Sequence, residues 1–123
     1  MKLNQEIKRQ LISSIEKNKD EYNNIFDNYT KRLKSARNVE QIMIAKQRLL
    51  LSIIGNIPLG TSNCYFCLRH SPRLGFNGCR NCQWGEAHGK CLNCGSDYVA
   101  IQNARTALIR LITDLYYRGE KYK

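Results

Sequence analysis

The chain has 123 residues, 42% of them hydrophobic and 24% charged, with 2 Pro, 8 Gly and 6 Cys. That size suits one domain with a modest core and speaks against a multidomain enzyme, and the composition excludes a disordered basic tail. Lys and Arg number 20 against 10 Asp and Glu, a formal +10, so a polyanion should meet a favourable field at moderate salt.

The first predicted element is a long amphipathic helix from Leu3 to about Ala36. Its apolar residues Leu3, Ile7, Leu11 and Ile15, then Tyr22, Ile25, Tyr29 and Leu33, keep the three-and-four spacing of one helical face. Asn18 interrupts that seam and the polar stretch to Asp20 leaves two shorter helices open. The densest basic cluster, Lys31, Arg32, Lys34 and Arg37, closes this helix, where cations suit the negative end of the helix dipole and could equally contact phosphate. Asn38 followed by Gln41 is a helix-start signature, and Gly55 reads as the stop. Between them Ile42, Lys46, Leu49 and Ile53, widened by Met43 and Leu50, trace an inner stripe. A connection near Ser35 to Asn38 then folds the two helices into an antiparallel hairpin.

Composition changes at Asn56. From Gly55 to Gly95 lie both prolines, seven of the eight glycines, both histidines and all six cysteines, with no sustained periodicity. Such a segment cannot fold on apolar burial alone. The cysteines come as Cys64-Tyr-Phe-Cys67, Cys79-Arg-Asn-Cys82 and Cys91-Leu-Asn-Cys94. Two intervening residues let both sulfurs of a pair reach one tetrahedral ion at about 2.3 Å while knuckle N–H groups point back at the thiolates. Three disulfides are the competing reading. The N-terminal stretch mixes Lys2, Glu6, Lys8 and Arg9 into its apolar residues and carries no export signal, so the expected setting is cytoplasmic, with reduced thiols and bound zinc. The spacings match neither ferredoxin pattern of an iron–sulfur cluster. One four-thiolate site or two sites completed by His70 and His88 both remain open, and the ligand set stays at the six cysteines.

Beyond the insert, Ser96 can cap a third helix in which Ile101, Ala104, Leu108, Leu111 and Leu115 hold a strict three-four rhythm until Gly119. The expected fold is therefore mainly α: a helical hairpin over residues 1–55, a cysteine-rich zinc-binding insert over 56–95, a closing helix over 96–119 and a tail over 120–123. The longest apolar run, Leu49 to Ile54, is far shorter than the roughly 18 residues of a membrane span.

No catalytic constellation accompanies the metal. A catalytic zinc needs an open position and a nearby general base, yet the insert's only carboxylate is Glu86, and no phosphate loop, dinucleotide fingerprint or Ser-His-Asp set is present. The expected protein is not an enzyme and its metal is structural. Charge is spread as +5 over residues 1–60, +3 over 61–96 and +2 over 97–123. The single tryptophan, Trp84, follows Cys82 by two residues, as a binding anchor or as packing over the metal or the helices.

The delivery of Cys91 and Cys94 just before a helix resembles the treble-clef zinc arrangement, from which the intervening Cys79–Cys82 pair departs. More broadly, Cys64-x-x-Cys67, Cys79-x-x-Cys82-Gln83-Trp84-Gly85, Gly89-Lys90-Cys91 and Ser96-Asp97-Tyr98 together resemble small zinc-knuckle proteins encoded by bacteriophages and other mobile elements. Many of those carry Pro where this chain has Gln83, and Cys94 is additional here. The resemblance implies a phage or mobile-element setting and a protein that binds and inhibits a host protein or protein–nucleic-acid complex, such as a polymerase or a nuclease defence assembly. The alternative expectation is direct DNA or RNA binding as a small regulator, using Lys31, Arg32, Lys34 and Arg37.

Overall fold

The computed structural model of the chain describes residues 1–70, 82–89 and 95–123. It is mainly α, with no strand among the described residues: α1 (Gln5–Ser35), α2 (Val39–Gly55), a 3₁₀ turn (Thr61–Asn63), α3 (Tyr65–His70), α4 (Gln83–His88) and α5 (Asp97–Leu111). The last helix widens into a π-helical turn over Ile112–Tyr116. Among the described residues no helix is long and apolar enough to cross a membrane. The chain forms two compact units, Met1–Lys17 with Pro58–Ala104 and Asn18–Ile57 with Arg105–Lys123.

In the first unit α1 begins at Asn4, whose Oδ1 accepts the N–H groups of Glu6 (2.9 Å) and Ile7 (3.2 Å) and so satisfies two donors of the first turn. The Asn4 N–H in turn donates to the Tyr65 hydroxyl at 2.9 Å, and Ser14 Oγ donates to Asn63 Oδ1 at 3.1 Å. Ile7 is buried, while Leu3, Ile12 and Ile15 are exposed. Ser96 caps α5 as its sequence position suggests: it is 3% exposed and its Oγ accepts the Val99 N–H at 3.1 Å.

The second unit contains the expected hairpin. Asn38 Oδ1 accepts the Gln41 N–H (2.9 Å) and Gln41 Oε1 accepts the Arg37 N–H (2.7 Å), a reciprocal pair that starts α2 and ties down the connection to α1. Ala45, Leu49 and Ile54 are buried, so the inner face lies slightly to one side of the expected stripe, in which Ile42 is 40% exposed. Helix α1 runs unbroken through Asn18, which is 8% exposed and donates from Nδ2 to the Asn56 carbonyl at 3.2 Å. Tyr22 donates to the Ile53 carbonyl at 3.2 Å. The stop of α2 belongs to Asn56 more than to Gly55. Asn56 donates its backbone N–H to the Ser52 and Ile53 carbonyls and its Nδ2 to Ser52 at 2.8 Å, whereas Gly55 has no positive φ.

The closing helix differs from expectation in which face it covers. Of the rhythmic residues, Ile101, Leu108, Leu111 and Leu115 are 46–54% exposed, and Gln102, Arg105, Ile109 and Ile112 are the half-buried ones. Arg105 Nε is buried with no hydrogen-bond partner among the described residues, while polar contacts hold the helix on either side of it. In the first unit Gln102 donates to the Tyr98 hydroxyl at 2.7 Å, and in the second Gln47 Nε2 donates to the carbonyls of Ile112 (2.9 Å) and Thr113 (3.3 Å). The α-helical part ends at Leu111, eight residues before Gly119, which has φ +84°. The tail is tethered by the Tyr122 N–H donating to Glu40 Oε1 at 3.1 Å.

Candidate functional site

The first unit carries the described part of the cysteine-rich segment. Cys64 ends the 3₁₀ turn and its carbonyl accepts the Leu68 N–H at 3.0 Å, so Cys64 and Cys67 straddle the first turn of α3, three residues apart on one side of the helix. Both are half-buried. Cys82 is 7% exposed and occupies the residue before α4. Cys79, Cys91 and Cys94 lie outside the described residues, as does the side chain of His70. Among the described residues no group of three or more His, Cys, Asp or Glu is gathered as a metal cluster.

Helix α4 positions Trp84 and His88 one turn apart. The indole stacks on the imidazole, with ring centroids 4.3 Å apart and planes at 22°, and meets the Tyr98 ring edge-on at 6.4 Å and 89°. Tyr98 donates its hydroxyl to the Leu59 carbonyl. Trp84 is thus half-buried inside an aromatic cluster, with one face covered. His88 Nδ1 lies 2.9 Å from Asp97 Oδ2. A carboxylate only accepts, so Nδ1 carries the proton and Nε2 of a neutral ring holds the lone pair. This carboxylate–histidine arrangement commonly backs a metal-bound imidazole. The nine-residue separation of His88 and Asp97 carries no sequence signal, so this pairing was not legible beforehand. The donors that could hold zinc among the described residues are therefore Cys64, Cys67 and Cys82, with His88 oriented as a further candidate.

Between α4 and α5, Gly89 has φ +87° and ψ 150°, a conformation nearly restricted to glycine. A Cβ there would come within 3.0 Å of Ser96 Cα and Cβ, so the glycine also permits close approach to the α5 cap.

The basic cluster belongs to the second unit. Lys31, Arg32 and Lys34 occupy the last turns of α1 and Arg37 the connection to α2. No carboxylate lies within ion-pair distance of any of the four among the described residues. The structure adds Arg48, which sequence reasoning missed. With Arg32 it lines two adjoining hollows of about 290 and 250 Å³ along the hairpin. Arg48 follows Lys46 and Gln47 within α2, and only the hairpin register reveals that Arg32 is its neighbour.

No protein-family model, curated protein or solved structure matches the chain.

Proposed function

We propose that this is a non-enzymatic, zinc-stabilised binding protein of phage or mobile-element origin that docks on a host nucleic-acid-processing or defence complex and inhibits it. Three Cys-x-x-Cys pairs supply thiolates for zinc, and the described members of those pairs stand at helix starts or on a first helical turn, as knuckle ligands do. The observation that carries a protein partner is the exposed apolar stripe Leu108, Leu111 and Leu115 on the C-terminal helix, 46%, 53% and 54% accessible. An apolar ridge of this spacing suits a protein groove, whereas a duplex backbone offers it nothing. Lys31, Arg32, Lys34 and Arg37, which have no ion pair among the described residues, fit a partner that itself carries nucleic acid.

Affinity capture from host lysate, with and without nuclease, tests this reading. Capture should survive nuclease and fail for the Leu108→Glu/Leu111→Glu variant. Capture abolished by nuclease and untouched by that variant would transfer the function to direct DNA or RNA binding.

A further inference from the structure

The two hollows of the second unit form one furrow, because Arg32, Ala45 and Arg48 line both. Ala45 is 3% exposed and makes a floor without a protruding side chain, while the two arginines are exposed. Neither guanidinium has a hydrogen-bond or ion-pair partner among the described residues. A protein that leaves two arginines unneutralised beside a shallow groove is set up for an anion, and the planar fork of each suits a phosphate bidentately. One end of the furrow adds Tyr29, a half-buried ring with Lys46 Nζ 6.0 Å from its centroid, together with Asn28 and Ser52, whose side chains make no hydrogen bond among the described residues. Each hollow falls below the usual range of enclosed small-molecule pockets, and together they run lengthwise, which suits an extended polymer.

We propose that this furrow seats a single strand of nucleic acid, with backbone phosphates on Arg32 and Arg48 and a base against the Tyr29 ring. The aromatic ring selects a single strand over a duplex, whose bases are already stacked and cannot reach it. Lys31, Lys34 and Arg37 then contribute attraction and faster association without fixing register. The choice of nucleic acid as occupant rests on the function proposed above; the furrow itself does not depend on zinc or on the apolar stripe.

The test is fluorescence anisotropy of a labelled oligothymidylate against the full zinc-loaded chain across a salt series. Arg32→Gln and Arg48→Gln should each weaken binding about tenfold and reduce the magnitude of the log–log salt slope by about 0.7, the single-strand value for one phosphate contact. Tyr29→Leu should cost about fivefold or more with the slope unchanged. Arg9→Gln is the control: it removes the same charge from a residue of the first unit paired with Glu6 at 3.5 Å, and should change little. Equal losses in all three arginine variants would reduce the effect to the general field of a +10 chain and overturn the site. So would displacement of the oligonucleotide by poly-glutamate at matched charge, tighter binding of duplex independent of Tyr29, or no binding at all. Nuclease-resistant capture of a host complex alongside failed oligonucleotide binding would sink the furrow and leave the proposed function standing.

Discussion

Replacing Asn18 by Asp probes the hairpin at its most polar buried point. The substitution is nearly isosteric, so packing changes little. Asn18 is 8% exposed, its Nδ2 donates to the Asn56 carbonyl at 3.2 Å, and its buried Oδ1 has no partner among the described residues. The native amide therefore gains about 1 kcal/mol from one hydrogen bond while already bearing the cost of an unsatisfied oxygen. Aspartate removes the donor, sets a second acceptor against the Asn56 carbonyl and places a charge at a buried position. We expect a loss of about 3 kcal/mol at neutral pH. Burial should raise the folded-state pKa of the new carboxyl above its unfolded value. The penalty is then absent below the unfolded pKa and grows as pH rises toward the folded one, so acidification to about pH 4 should restore most of the difference. Asn18→Ala removes the bond and the unsatisfied oxygen together and should cost only about 1 kcal/mol. Urea unfolding followed by far-ultraviolet circular dichroism, at neutral and acid pH, measures both variants. An Asp variant as stable as the parent at neutral pH would mean that Asn18 faces solvent and α1 breaks there, and would refute this account of the hairpin.

Gly89→Ala should destabilise the first unit by about 1–3 kcal/mol, because a near-glycine-only backbone conformation coincides with a 3.0 Å approach to Ser96; thermal melts would show it, and an unchanged midpoint would remove the packing argument. The Glu40 carboxyl is held below its ordinary value by hydrogen bonds from its own backbone N–H and from Tyr122. A depressed carboxyl stabilises the fold above the unfolded pKa and loses that effect as pH falls through the folded one, so the tail should come free only on acidification below the usual carboxylate range. Amide exchange at Tyr122 reads this directly, and exchange independent of pH-corrected acidification would contradict it. If zinc binds as proposed, Cys64→Ala should lower stability and metal content more than His88→Ala does, since Cys64 belongs to the proposed thiolate set and His88 is only an oriented candidate; equal metal release by both would make His88 a full ligand of a mixed site.

Local signals in the chain were reliable where a short segment decides its own fate. The Asn38–Gln41 box starts α2, Ser96 caps α5, and the hairpin closes near Ser35 to Asn38. Periodicity was weaker evidence for burial. It spaced Leu108, Leu111 and Leu115 at helical intervals but could not say whether anything covers them, and all three are exposed, Leu115 within the π-helical turn. Asn18 left two shorter helices open beside the long one because polarity inside a seam is ambiguous until its partner is known, and that partner is the carbonyl of Asn56, 38 residues away. The basic cluster of α1 was visible as a run of charge. Arg48 was not, since a cation within α2 acquires meaning only from the register that sets it beside Arg32 in the furrow. For the thiols, spacing within each pair was legible, but which pairs share an ion depends on distances that sequence does not contain.

The described core bears on what the proposed metal would contribute. Among the described residues the buried apolar side chains are Ile7, Ala45, Leu49, Ile54 and Cys82, and none falls below 2% exposure. Small domains have a net stability of only about 5–15 kcal/mol over conformational entropy. Zinc bound as proposed would contribute on that scale, since structural zinc gives an apparent 10–16 kcal/mol in isolated fingers.

The zinc content of untagged, purified protein is thus the most direct measurement. The account predicts one or two equivalents of zinc, no inorganic sulfide and all six cysteines reduced, with chelation abolishing order in the cysteine-rich segment while the α1–α2 hairpin keeps much of its helical dichroism. Three intramolecular disulfides and no bound metal would contradict it.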